Sequence, residues 1–140
     1  MTDDAPLHAR HLLVCLGVTR DPFASGAAYS LQSLVVFLRP NDDIGYPFAA
    51  ESLVLFAQVF GDAGQYDFWV DLFLVEDDEG ESHISTFGPI LGIVRPGQFV
   101  EAVVLPLWKI AFPRPGIYEF RLRRDSVEEP FASERLLLKD

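Results

Sequence analysis

The sequence predicts an all-β protein, a two-layer antiparallel sandwich of the immunoglobulin-like, Greek-key kind with about seven to nine strands. Three observations carry this. Apolar residues recur with a period of two along most of the chain, proline and glycine clusters punctuate that pattern at short intervals, and no stretch keeps a helical period long enough to form a helix. A chain of 140 residues that is 49% hydrophobic and holds 12 Phe makes a single domain with a substantial core, and it is not a disordered chain.

Residues 1–6 form a short polar lead-in. Over 7–18, Leu12, Val14, Leu16 and Val18 alternate with Leu13, Cys15 and Gly17, a strand apolar on both sides and therefore central or covered. Residues 19–30, with Asp21-Pro22 and Ser25-Gly26, predict a loop long enough to change sheets. A strand over 31–38 follows, ended by the dense turn residues between Arg39 and Pro47. Residues 51–60 and 67–76 are strands joined by Gly61-Asp62-Ala63-Gly64, which predicts a hairpin; Phe68, Val70, Leu72 and Leu74 take the core face of the second. An acidic turn over 76–81, a short strand near 83–87, a break at Gly88-Pro89 and a short strand over 90–94 come next. Residues 98–112 are strongly apolar, but Pro106 in their middle predicts a bulge, a kink or an edge position. A last strand occupies 131–138.

The stretch from Phe112 to Arg124 has the fewest alternative readings. Pro113 and Pro115 lack amide donors and push their predecessors toward extended geometry, so no helix can pass and the chain must turn. Gly116 can take a positive φ there. Tyr118 follows two positions later, with a ring to bury and a hydroxyl that needs a partner, as in the tyrosine corner of Greek-key sandwiches. Pro115, Gly116 and Tyr118 are therefore structural candidates.

Composition excludes several functions. With 21 acidic against 11 basic residues the net charge is −10, and the only concentration of cations is Arg121, Arg123 and Arg124. Nucleic acid and anionic membrane surfaces are thus unsuited partners. No apolar run reaches the length of a membrane span, and the opening Met1-Thr2-Asp3-Asp4 is not a secretory leader, which predicts a cytoplasmic location. The single Cys15, inside an apolar run, reads as a small buried thiol.

Candidate sites are few. His8 and His11 are spaced oddly for a strand and point to opposite faces, so a shared metal is awkward and no cofactor or metal is expected. The acidic run from Glu76 to Glu81 lacks the spaced ligand pattern of a calcium loop and reads as a solvated hairpin tip. Asp67, Trp69 and Asp71 share one strand face and could take a sugar, the indole stacking and the carboxylates accepting hydroxyls; Trp108 is a second candidate platform. No nucleophile elbow, phosphate-cradling loop or dinucleotide fingerprint is present, so no catalytic residue is assigned, with an unrecognised hydrolase the least favoured reading. Several strands carry large apolar residues on both faces, which asks for a cover and predicts a homodimer or another protein partner across one sheet.

Four pieces in order resemble a family of uncharacterised bacterial β-sandwich proteins known as a domain of unknown function. They are the opening strand ending in Gly17-Val18-Thr19-Arg20-Asp21-Pro22, the Tyr46-Pro47 corner, the Tyr66-Asp67-Phe68-Trp69-Val70 strand and the corner from Phe112 to Leu122. The resemblance implies a small immunoglobulin-like sandwich, carries over no functional residues, and leaves a protein-binding or assembly module as the leading expectation.

Overall fold

The computed structural model describes residues 7–20, 29–35, 37–40, 45–76, 80–94 and 101–140. The lead-in 1–6, the middle of the loop expected over 19–30, part of the turn before Tyr46, three residues of the acidic turn and the Arg95-Pro96-Gly97 turn lie outside them.

Period-two alternation produces strands throughout. They are β1 (His8–Arg20), β2 (Tyr29–Leu34), β3 (Phe37–Leu38), β4 (Phe48–Phe60), β5 (Gly64–Glu76), β6 (Gly80–Val94), β7 (Glu101–Phe112), β8 (Gly116–Arg124) and β9 (Ala132–Leu138). A four-stranded sheet runs β2-β1-β4-β7 and a five-stranded sheet runs β3-β9-β8-β5-β6. All pairs are antiparallel except the two-residue β3, which lies parallel to β9. With β1, β4 and β7 in one layer and β5, β8 and β9 in the other, this is the Greek-key order of an immunoglobulin-type sandwich. Among the described residues no helix is long and apolar enough to cross a membrane.

The core lies between the layers. Leu53, Leu55, Ala57 and Val59 of β4 face Phe68, Val70, Leu72 and Leu74 of β5, and Phe112, Tyr118 and Phe120 fill one end, all at most 3% exposed. The Phe112 and Tyr118 rings meet edge-on at 4.9 Å. Among the described residues Tyr118 is the largest fully buried side chain, and its hydroxyl donates to the Arg114 carbonyl at 2.6 Å while accepting from the Arg114 amide at 3.3 Å. That closes the corner between the sheets and leaves no buried polar atom unsatisfied there. Gly116 sits in it at φ 149°. At the same end the Tyr46 hydroxyl donates to the Lys139 carbonyl at 2.5 Å and ties the Tyr46-Pro47 corner to the C-terminal strand.

The topology corrects several connections. β4 and β5 do not form a hairpin: the tight 61–63 turn passes the chain from one sheet to the other, β4 pairing with β1 and β7 and β5 with β6 and β8. Residues 19–30 do not change sheets, since β1 and β2 pair directly; the switch falls at 35–37, dividing the strand expected over 31–38. Gly88-Pro89 does not break β6, because an edge strand tolerates a residue without an amide donor. Pro106 obeys the same rule: β7 is the other edge on that side, and it pairs with β4 through Val54↔Pro106 without a register shift.

Candidate functional site

The two outer faces of the sandwich are where chemistry can be placed, and they differ. On the five-stranded sheet, register stacks side chains into cross-strand rows. One row sets Arg135, Glu119, Phe73 and His83 side by side; the next sets Ser133, Arg121, Asp71 and Thr86. Arg123 and Trp69 make a third.

Guanidinium planes cover the aromatics of this face. The Arg121 guanidinium lies 4.1 Å above the Phe73 ring and that of Arg123 lies 5.7 Å from the Trp69 ring. Each arginine is then held by acids. Arg121 Nε donates to Glu119 at 2.7 Å and its Nη1 to Glu81 at 2.9 Å, with a second, shorter contact from Nη2 to Glu81. Arg135 donates to the other Glu119 oxygen at 2.9 Å, and Arg123 Nε to Asp71 at 2.7 Å. Partial burial pushes the Asp71 and Glu119 carboxyls upward, but the hydrogen bonds and charges of their arginines, with Thr86 added at Asp71, outweigh it and hold both below the usual carboxylate range. Glu81 is lowered chiefly by its hydrogen bond from Arg121, and Arg121 is raised in turn.

The His83, Thr86 and Asp71 group resembles a catalytic relay only at first sight. Thr86 donates its one hydroxyl proton to Asp71 at 2.6 Å, so at His83, 2.8 Å away, it can only accept. The imidazole therefore donates to Thr86 and cannot deprotonate it, and no nucleophile is activated.

Of the residues singled out in the sequence, Asp67, Trp69 and Asp71 do share this face. Asp71 is occupied by Arg123 and Thr86, and the Trp69 indole donates to Asp125 at 3.3 Å. Asp67 lines a shallow notch of about 170 Å³ with Gln65, Tyr66, Arg124 and Asp125. Trp108 is far from this group in the fold, its backbone pairing with Ser52 in the other sheet. His8 stacks on Phe60 at 5.3 Å, and His11 occupies the β1 bulge at φ 57°.

The outer face of the four-stranded sheet is built otherwise. Cys15↔Val54, Leu13↔Phe56, Val54↔Pro106 and Phe56↔Val104 are directly opposite pairs, with Leu34 beside Cys15. These residues stand outside the core cluster, on the far side of the sheet from it. Leu34 is 58% exposed, Pro106 is exposed, and Leu13, Val54 and Val104 are half-buried. No charged side chain takes part in these pairs. Cys15 is fully buried there, its thiol donating to the Val54 carbonyl at 3.5 Å, and burial pushes it above its ordinary value, away from nucleophilic use.

Sequence reasoning missed Thr86, His83 and the covering role of Arg121 and Arg123. The arginines had a signal, since β8 alternates Arg121 and Arg123 with Phe120 and Leu122. The Thr86–His83 contact had none, because a bulge at Ile84 turns two residues three apart to one face. Compared with known proteins, the chain matches no family model and no curated protein, and what stands of the resemblance to the bacterial sandwich family is the β-rich fold.

Proposed function

We propose that this protein is a non-enzymatic assembly module of the cytoplasm, working as a homodimer whose copies meet across the outer face of the four-stranded sheet. One observation carries the reading: among the described residues that face sets Leu13, Leu34, Val54, Val104 and Pro106 side by side, Leu34 and Pro106 exposed, while on the opposite face Phe73 and Trp69 lie under arginines of the same chain. An uncovered apolar sheet face is the kind of surface that obligate homodimers bury, and a two-fold contact suits a patch that must complement itself. The small-ligand reading has less support, since the notch beside Asp67 is about 170 Å³ and ligand pockets run from roughly 300 Å³ upward.

Light scattering on the whole chain tests it. The expected mass is twice 15.7 kDa, and Leu34→Asp, at an exposed position that places no charge in the core, returns the protein to the mass of one chain. A wild-type protein that stays a single chain at micromolar concentration overturns the proposal.

A further inference from the structure

The two sheets end in four edges, and three of them are guarded. β3 has only two residues, β2 carries Ser33 at φ 53°, and β7 carries Pro106 at its centre and Lys109 at φ 54°. Such features are how sheets keep foreign strands away. β6 is the longest strand of the molecule, and Pro89 guards only its second half. From Ser82 to Phe87 there is no proline, lysine, arginine or positive-φ residue. Among the described residues its backbone pairs with β5 alone; β7 comes near from the other sheet without joining it. The ladder shifts register twice, at Gly88-Pro89 and at Ile84, and the Ile84 bulge leaves an extra residue outside the β5 ladder.

We infer that the free edge of β6 along 82–87 takes up an extended, basic segment of a partner protein as an added strand of the five-stranded sheet. Main-chain hydrogen bonds supply the attraction in this kind of recognition, and side chains set the choice. Charge decides which strand is accepted. The molecule carries a net −10, so repulsion between like molecules disfavours a second copy and a cationic strand is drawn in. The inference is independent of the dimer, whose face lies on the other sheet.

The probe is a synthetic peptide of alternating Lys and Val, about eight residues long, titrated into the whole protein while its backbone amides are followed by NMR. Saturable shifts and slowed hydrogen exchange are expected within 82–87, and the Glu-Val counterpart leaves those amides unmoved. Ser82→Pro and, at an exposed position, His83→Lys each weaken binding about tenfold or more, whereas Leu34→Asp binds as wild type does. Unperturbed 82–87 amides, equal binding of the acidic peptide, or full affinity in His83→Lys with its fold intact would overturn the inference.

Discussion

A single atom decides more at Gly92 than at Gly17. A Cβ at Gly92 would stand 2.4 Å from the Phe68 ring, which is fully buried and packed against Tyr66 and Phe131 and cannot step aside. At Gly17 the conflict is with the end of the Gln32 side chain, which can swing away. Gly92→Ala is therefore expected to cost about 1–3 kcal/mol in a denaturant melt, and Gly17→Ala close to nothing. Tyr118→Phe keeps the ring and removes the hydroxyl that serves both the amide and the carbonyl of Arg114. It should cost about 1–2 kcal/mol; a melt superimposable on wild type would show that the corner closes without it. Tyr118 was legible from eight neighbouring residues because a proline-bounded turn is a local matter. The Gly92 contact was not, because it depends on which strand lies beside β5, a fact of register rather than of composition.

At the scale of the element, β8 serves both faces of the five-stranded sheet. Its inner residues Tyr118, Phe120 and Leu122 fill the core while Arg121 and Arg123 lie over the aromatics of β5. Arg121→Ala should destabilise by about 1–2 kcal/mol through lost cation–π contact and lost packing of its stem. Arg121→Lys, which keeps the charge but not the plane, should recover less than half of that. Acid exposes the same ladder. The folded Asp71 and Glu119 carboxyls lie below their unfolded values, so their contribution is complete above roughly pH 4–5 and is lost as pH falls through the depressed range. Stability measured from pH 6 downward should thus fall more steeply for wild type than for Asp71→Asn; equal slopes would remove Asp71 from the account. The strands themselves were legible from alternation and from proline. Their partners were not: β4 and β5, three residues apart, look like a hairpin until the sheets are assigned, and nothing in Gly61-Asp62-Ala63-Gly64 distinguishes a turn within a sheet from a turn between sheets.

For the whole molecule, the apolar doubling of faces was legible, but not which face resolves it internally, since an arginine over an aromatic and an arginine in water have the same sequence. In a dimer built across the four-stranded face, as proposed, each half carries −10, and that charge gives the assembly a signature. Burial of the four-stranded face must work against repulsion between the copies, so added salt, which screens that repulsion, should tighten the dimer. The thermal midpoint should also climb with protein concentration, as it does for any fold stabilised by self-association. Uptake of a cationic strand at β6 runs the other way, because salt weakens an attraction between opposite charges. Sedimentation and peptide titration over the same range of roughly 0.05–0.5 M salt should therefore give slopes of opposite sign. A dimer that loosens as salt rises would mean that charge pairs and not the Leu34 face hold it, and would move the contact to the arginine-bearing sheet.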